Sequence, residues 1–302
     1  MDETIEIIKD ADQLRDMEGK SSKALKILKK RGEEIKDDPL LSYDYPKILK
    51  KTALCYFDLG ENEKAKEYFK EALEVAKKDL NKIETADIQA CLAFWELKIG
   101  SIEKALEYAL VAWEYIGTKR GGKFTETKVN TAIILGNIYF EQGEYKKAFK
   151  KYTAASTNAD LVNYVRGKIV LAGELANYYR THEKLDKAVG VISERIIGEA
   201  EQSYRILLPR LQMEFSKIYF ERGDIEEAKE IALKAYKFVK KRGLSRLIAE
   251  SSELLGRIYA EKNQAVADAY FKEAFDIYNK GGYNLPTEHP KEEDWFTSTE
   301  DL

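Results

Sequence analysis

The sequence predicts an all-α fold, an α-solenoid of about seven helix–turn–helix repeats with about fourteen helices. Three observations predict it. A short pattern recurs along the chain with a period near 40 residues. Each copy carries small and apolar residues at helical spacing on both sides of a turn. The length of 302 residues also exceeds the size at which a single globular core is usual.

Seven copies of the pattern align on the alanine that follows each turn. Successive alanines are separated by 41, 40, 43, 40, 40 and 39 residues. A two-helix unit cannot bury its apolar face alone, so regular copies indicate units that stack on one another. The anchoring alanines are Ala24, Ala65, Ala105, Ala148, Ala188, Ala228 and Ala267.

The fourth copy shows how one unit packs. Its leading helix carries Gly136 and Tyr139 on one face, Gly143 ends that helix, and the second helix presents Ala148 and Tyr152. The small residues allow two antiparallel helices to approach closely, and the tyrosines fill the remaining space. The first copy has a poor leading helix and the seventh lacks one turn residue, as expected of capping repeats.

Glycines follow the leading helices of several copies. A glycine at this position suits the left-handed backbone conformation that ends many helices. The sequence therefore predicts this conformation at Gly60, Gly100, Gly143 and Gly223.

These residues resemble the tetratricopeptide repeat. The pattern small-x-x-Tyr, then Gly, then Ala-x-x-x-aromatic-x-x-Ala recurs from about Ala11 to Tyr278. The family's usual period is about 34 residues. The longer period here is similar to Leu-Gly-Asn repeat proteins, kinesin light chains and peptide-pheromone receptors. The resemblance implies a right-handed superhelix over residues 1–280 that binds partners on its concave face. Glycines and prolines then end the helical pattern, which predicts an acidic tail at 281–302.

Two rows of side chains are expected on this concave inner wall. The first inner row is the residue after the small position of each leading helix, and the second inner row lies one turn later. The first inner row is Leu54, Phe94, Asn137, Asn177, Lys217 and Arg257. The second inner row is Phe57, Leu97, Phe140, Arg180, Phe220 and Ala260.

Asn137 and Asn177 occupy equivalent positions although asparagine is a mediocre helix former. A side-chain amide both donates and accepts, so it can pair with both polar groups of a peptide unit. Asparagines at this position hold ligand backbones in related tetratricopeptide proteins, and the resemblance implies that role here. The alternative is that both asparagines are solvated or bond between helices.

Three inner-wall phenylalanines are predicted to give a ligand apolar contact, and three cations to select its acidic groups. The alternative is that the cations of the last two repeats pair with nearby glutamates on the same helices, Glu221, Glu253 and Glu261. The residue set of an Hsp-type carboxylate clamp cannot be placed. The phenylalanines are Phe94, Phe140 and Phe220, and the cations are Arg180, Lys217 and Arg257.

No pattern predicts catalysis, a metal site or a cofactor, so the protein is predicted not to be an enzyme. The stretch "GTKRGGKFT" at 117–125 has phosphate-loop spacing, but the segment before it is helical rather than a strand, which indicates an inter-repeat turn. His182 and His289 are the only histidines and lie far apart. His182 is predicted to be an exposed turn residue.

Composition favours a reduced, cytoplasmic protein. The net charge of −3 gives no reason to expect a nucleic acid partner, which would favour a basic face. Cys55 and Cys91 lie in apolar stretches and are predicted to be free thiols. No apolar run is long enough to span a membrane, and the acidic start "MDETIEIIKD" does not resemble a signal peptide. Abundant Glu and Lys beside scarce Cys are typical of thermophiles.

The sequence thus predicts a non-catalytic scaffold that binds an extended peptide or partner protein, including one with an acidic segment, on its inner wall. One alternative is a regulatory receptor for a signalling peptide or small molecule that changes the compaction of the superhelix. Another is a self-assembling adaptor that forms homo-oligomers through its end repeats or its tail. The tail, with Trp295 and Phe296 among acidic residues, is either disordered or docks in a groove.

Overall fold

The computed structural model describes residues 3–38, 42–119, 121–260 and 262–283, and this part of the chain is all-α. It contains fifteen α-helices. A π-helical turn, Gln13–Met17, follows the first of them, and a 3-10 helix, Ser42–Asp44, precedes the third. The α-helices are α1 (Glu3–Asp12), α2 (Ser21–Ile35), α3 (Tyr45–Asp58), α4 (Asn62–Lys78), α5 (Lys82–Ile99), α6 (Ile102–Ile116), α7 (Gly122–Glu141), α8 (Tyr145–Leu161), α9 (Val165–Thr181), α10 (Leu185–Val191), α11 (Glu194–Ser203), α12 (Leu208–Arg222), α13 (Ile225–Arg242), α14 (Ser245–Ala260) and α15 (Gln264–Gly281).

Fourteen of these helices pair into the seven predicted repeats. The leading and second helices of the repeats are α1–α2, α3–α4, α5–α6, α7–α8, α9–α10, α12–α13 and α14–α15. Each anchoring alanine lies on a second helix and is 0% exposed, as expected of a small residue packed between helices. The fold is an all-α superhelix of repeats, as the sequence predicts.

One helix was not predicted. The second helix of the fifth repeat, α10, ends after 7 residues, and α11 follows it as a separate helix. The side chain of Ser193 accepts a hydrogen bond from the N–H of Ile196, which caps the start of α11. The split preserves the spacing of the anchoring alanines, so the period of the sequence does not reveal it.

The packing of the fourth repeat agrees with its sequence. A Cβ atom on Gly136 would lie 2.4 Å from Cε1 of Tyr152, so this helix–helix contact requires glycine. Tyr152 is buried, as are Leu135 and Ala155 beside it.

Three of the four predicted left-handed glycines are confirmed. The φ angles of Gly60, Gly143 and Gly223 are +81°, +74° and +86°. The prediction for Gly100 was wrong, because its φ is −105°. There the carboxylate of Glu96 folds back and accepts a hydrogen bond from the N–H of Ser101 at 3.2 Å, filling the space that a Cβ atom of Gly100 would need.

The turn after α1 reaches across the superhelix to later repeats. The N–H of Ile206, just before α12, donates to the carbonyl oxygen of Asp16 at 3.0 Å. Nε of Arg242, at the end of α13, donates to the carbonyl oxygen of Glu18 at 2.7 Å. Nε of Arg166 on α9 lies 3.5 Å from the Asp16 carboxylate. The first repeat therefore contacts both the fifth and the sixth.

The last repeat contacts the second along a surface that we call the seam. It comprises Leu59, Gly60 and Asn62 on one side and Ser245, Gly281 and Tyr283 on the other. Oγ of Ser245 donates to the carbonyl oxygen of Leu59 at 2.9 Å, and the amide of Asn62 donates to the carbonyl oxygen of Gly281. The ring of Tyr283 meets the ring of Phe57 edge-on at 6.4 Å. The superhelix therefore closes on itself.

The closed superhelix turns its leading helices inward. In the described part of the chain, no helix combines the length and the apolar character that a membrane span requires. Trp295, Phe296 and His289 lie outside the described residues, as does the predicted acidic tail from residue 284 onward.

Candidate functional site

Two adjoining cavities lie inside the closed superhelix, with volumes of about 770 and about 500 Å³. Their walls come mainly from the leading helices α3, α5, α7, α9, α12 and α14. The first cavity is also lined by residues from α1 and the π-helical turn. Six residues line both cavities and mark the boundary between them: Asn137, Val170, Glu174, Leu207, Arg210 and Arg246.

All eight residues predicted to contact a ligand lie on these walls. Phe94 lines the first cavity, and Asn137 lines both. The remaining six line the second cavity: Phe140, Asn177, Arg180, Lys217, Phe220 and Arg257. The structure therefore brings the predicted set to one connected interior surface.

Asn137 is held by protein groups. Its Oδ1 accepts a hydrogen bond from the hydroxyl of Tyr152 at 2.7 Å, and its amide bonds to the carboxylate of Glu174. The side chain is buried, with the residue 7% exposed. Asn137 thus matches the alternative interpretation, an asparagine that bonds between helices.

The side-chain Nδ2 of Asn177 is not engaged by the described residues. Its Oδ1 accepts a hydrogen bond from Nη2 of Arg180 at 2.8 Å. The residue is half-buried on the wall of the second cavity, and no described residue accepts a hydrogen bond from its Nδ2. Of the two asparagines, Asn177 is the one whose side-chain N–H groups are not used by the described residues.

The three predicted cations are all paired with carboxylates. Arg180 contacts Glu221 on α12 and lies 3.6 Å from the Glu214 carboxylate. Nζ of Lys217 lies 2.8 Å from Glu214 rather than from Glu221. Nη2 of Arg257 lies 2.7 Å from the carboxylate of Glu253, as the alternative predicted. The third glutamate of that alternative, Glu261, lies outside the described residues.

The predicted phenylalanines differ in their surroundings. The ring of Phe140 packs edge-on against Tyr145 at 5.3 Å, and Phe220 packs on the core of the fifth to seventh repeats. Phe94 lies 5.7 Å from the ring of Phe57. The guanidinium of Arg210 lies 5.7 Å from the Phe94 ring centroid.

A third row of wall residues was missed. It lies seven residues before the first inner row, which is two helical turns and therefore the same face. The signal was present in the sequence as the same spacing of 43, 40, 40 and 40 residues. The row lines the cavities and consists of Asp87, Asn130, Val170, Arg210 and Glu250.

Buried ion pairs lie at the wall of the first cavity. Nζ of Lys50 lies 2.6 Å from Glu84 and also contacts Asp87. Burial alone would lower the pKa of Lys50, but Asp87 and Glu84 raise it well above its ordinary value. The lysine is therefore charged, and its charge is already neutralised by the protein.

A second network joins the first repeat to its neighbours. Arg15 bonds to Asp58 on α3 at 2.7 Å and to Asp16 at 3.0 Å, and Asp16 also faces Arg166 on α9. Burial alone would raise the pKa of Asp16, but Arg166 and Arg15 lower it below its ordinary value. The carboxylate is therefore ionised, and the network as a whole joins the first, second and fifth repeats.

The pKa of Glu174 is shifted upward, in the opposite direction to that of Asp16. It lies on the boundary of the two cavities, and burial raises its pKa above the ordinary value. The charge of Lys98 and the hydrogen bond from Asn137 offset this only in part. The site thus contains a carboxyl group whose charged form is disfavoured.

Neither cysteine forms a disulfide. Cys55 is buried and Cys91 is half-buried on the wall of the first cavity. Burial raises the pKa of each thiol to about 12, so both are protonated at neutral pH. No group of three or more potential metal ligands occurs among the described residues.

Two further features of the sequence are turns between helices. The phosphate-loop-like stretch forms the turn after α6 and continues into the first turn of α7, with residue 120 outside the described part. His182 directly follows α9, but it is half-buried rather than exposed, because its ring stacks on Tyr178 at 4.3 Å and meets Tyr145 at 4.8 Å.

Comparison with known families and curated proteins identifies one repeat directly. The tetratricopeptide repeat family matches residues 46–79, which is the second repeat, α3 and α4. No curated protein sequence gives a significant match to the chain.

Comparison with solved structures identifies the same fold over most of the chain. A Rap protein in complex with competence and sporulation factor superposes with a TM-score of 0.67 at 18% identity, over 85% of this chain and 70% of that one. The apo form of the quorum sensor NprR from B. thuringiensis superposes with a TM-score of 0.58 at 18% identity, over 87% of this chain and 72% of that one. The Cut9–Hcn1 hetero-tetramer of the APC/C superposes with a TM-score of 0.55 at 15% identity, over 91% of this chain and 45% of that one.

Proposed function

Because the chain is built from tetratricopeptide-type repeats, we propose that it is a non-catalytic protein-interaction module that binds a short peptide segment on its inner wall. The observation that carries this proposal is the convergence of both inner rows, except Ala260, on two connected cavities. Binding sites of this kind are concave, largely apolar and supplied with a few fixed polar groups.

The closed superhelix limits what can bind. A cavity of about 770 Å³ suits a ligand of a few residues rather than a folded domain. A partner protein would therefore contribute an exposed segment or a chain end, and a larger partner would have to open the seam.

The polar groups of the second cavity suit a peptide backbone. The Asn177 amide has a donor that no described residue uses, and Phe140 and Phe220 line the same cavity. Asn177 would donate to a ligand carbonyl, and the phenylalanines would pack against its apolar side chains. Asn137 would act by fixing Tyr152 and Glu174.

The structural relatives support a peptide or partner protein as the ligand. The Rap protein was solved with competence and sporulation factor bound, NprR is a quorum sensor, and Cut9 is assembled with Hcn1. All three have the fold of this chain, which supports a peptide or a partner protein as its ligand.

A defined pool of hexapeptides tests the proposal. The pool is passed over immobilised wild-type protein and over Asn177→Ala, and the retained peptides are identified by mass spectrometry. Asn158→Ala is the matched control, because Asn158 lies on the second helix α8 and its amide donates to the carbonyl oxygen of Ala154. We expect specific peptides to be retained by wild type and by the control but depleted with Asn177→Ala. Retention of no peptide by wild type, or equal retention by all three proteins, would contradict the proposal.

A regulatory receptor is the second candidate, and the seam favours it. Contacts between the second and seventh repeats join parts of the chain that the repeat stacking does not require to touch. A ligand that favours the closed or the open form would shift the population between them. Small-angle scattering with and without a selected peptide separates the candidates: a change in radius of gyration supports a receptor, and constant dimensions support a passive module.

A further inference from the structure

Arg210 occupies the boundary between the two cavities. It lies in the first turn of α12 and lines both cavities. Its guanidinium is 5.7 Å from the centroid of the Phe94 ring. Among the residues that the structure describes, none offers it a carboxylate within ion-pairing distance.

Arg246 approaches the same ring. Its guanidinium is 6.0 Å from the centroid of Phe94 and 5.8 Å from that of Phe57. The Arg246 side chain is 8% exposed and forms an ion pair with Glu250 in the next turn of α14. Two guanidinium groups thus share one aromatic ring, and Glu250 neutralises only one of them.

The positions of these arginines oppose the usual stabilising placement of charge. Both lie in the first turn of a helix, Arg210 in α12 and Arg246 in α14. The helix dipole makes this end partly positive, so cations there are unfavourable and anions favourable. Helix stability therefore does not explain the pair, whereas a bound anion would offset the repulsion.

The neighbouring residues define the rest of the ligand. Leu54, Phe57 and Phe94 line the first cavity beside the two arginines. A guanidinium binds a carboxylate through paired N–H donors, and aromatic rings bind apolar groups next to it. The predicted cations Arg180, Lys217 and Arg257 lie in the second cavity and already contact glutamates.

We propose that Arg210, assisted by Arg246, binds a carboxylate of the ligand while Phe94 and Phe57 pack against an adjacent apolar side chain. This inference rests on the proposed function and specifies its ligand as a peptide that carries a carboxylate next to an apolar residue. The carboxylate belongs either to the end of the peptide or to an acidic side chain.

Three acetylated dipeptides serve as probes: Leu-Phe with a free carboxylate, Asp-Phe as its amide, and Leu-Phe as its amide, which is uncharged. Binding is measured by saturation-transfer NMR titration against the full chain. We expect at least one carboxylate probe to bind about tenfold or more tighter than the uncharged probe, the size of effect given by a charged hydrogen bond. Preference for the free carboxylate identifies a chain end, and preference for Asp-Phe amide identifies an acidic side chain.

Variants at one position connect the preference to the proposed site. Arg210→Met keeps the apolar stem over Phe94 and should abolish the preference for a carboxylate, and Arg210→Lys should retain part of it. Arg205→Met is the matched control, since Arg205 is exposed and donates to the carbonyl oxygen of Glu201 outside both cavities. Unfolding temperatures check that each variant is folded.

The outcomes separate this inference from the proposed function. Equal binding of all three probes, binding of none, or an unchanged preference in Arg210→Met would overturn the carboxylate site. If hexapeptides are still selected through Asn177 in that case, the proposed function stands and only this subsite fails. If no hexapeptide is selected but the carboxylate preference depends on Arg210, the subsite stands without the peptide module.

Discussion

The hydroxyl of Ser245 donates a hydrogen bond to the carbonyl oxygen of Leu59 at 2.9 Å, although the two residues are 186 positions apart in the chain. This bond joins the start of α14 to the turn after α3. It belongs to the seam that makes the inner wall a closed surface instead of an open groove.

Gly60→Ala should open the seam. A Cβ atom at Gly60 would lie 2.7 Å from Cβ and Oγ of Ser245, whereas a Cβ at Gly143 would meet nothing within 4 Å. Both glycines have positive φ, so both substitutions cost about 1 kcal/mol of backbone strain. Small-angle scattering should show a larger radius of gyration for Gly60→Ala than for the control Gly143→Ala. Equal radii for the two variants would show that the seam does not hold the superhelix closed.

Asn137→Ala should reduce stability. It leaves the buried hydroxyl of Tyr152 without the acceptor that it has at 2.7 Å. An unsatisfied buried polar group costs about 1–3 kcal/mol. Adding Tyr152→Phe removes the orphaned hydroxyl, so the double variant should recover part of the loss in urea unfolding. A double variant that is less stable than Asn137→Ala would contradict a pairwise bond.

Glu174→Gln should stabilise the protein at neutral pH. Burial raises the pKa of Glu174, so the folded state binds its proton more tightly than the unfolded state, and wild-type stability falls as the pH rises past the ordinary value of 4.5. Glutamine mimics the protonated group and avoids this loss. At pH 7 the free energy of unfolding should be higher for the variant than for wild type, and this difference should vanish below pH 4.5. Glu107→Gln, on the exposed face of α6, is the control and should show no such dependence.

Asp16→Asn should destabilise the closed superhelix. Arg166 and Arg15 outweigh burial and lower the pKa of Asp16, so its stabilising effect is full above the ordinary value of 3.8 and is lost as the pH falls through the lower folded value. Breaking a buried ion pair costs about 3 kcal/mol. The decrease in the free energy of unfolding of Asp16→Asn should therefore be large at pH 7 and become smaller in strong acid.

Asp186→Asn is the matched control for Asp16→Asn. Asp186 also pairs with an arginine, Arg222, at 2.6 Å, but its side chain is fully exposed. Solvent screens such pairs, so unfolding of this variant should match wild type at every pH. Equal decreases in stability for Asp16→Asn and Asp186→Asn would contradict a stabilising role for the buried network between repeats.

The repeat architecture could be predicted because small residues set the helix–helix distance locally. Ala148 and Gly136 identify the packed face by their spacing alone, and the inner rows follow by counting residues from them. Arg210 could also have been found, since it stands in the same register as the first inner row, two turns earlier.

Contacts between distant repeats could not be predicted in this way. The bond of Asn62 to Gly281 and the pairing of Arg180 with Glu221 depend on where other helices lie, whereas residue spacing identifies partners only on the same helix. For the same reason the short α10 was missed, because Ser193 begins a new helix without changing the period.

The most direct measurement is the dissociation constant of one selected hexapeptide, determined by isothermal titration calorimetry with wild type, Asn177→Ala and Asn158→Ala. A lost hydrogen bond of about 1 kcal/mol predicts roughly fivefold weaker binding for Asn177→Ala. The control should bind like wild type. A dissociation constant that is the same for all three proteins would show that Asn177 does not hold the ligand, and would contradict the account.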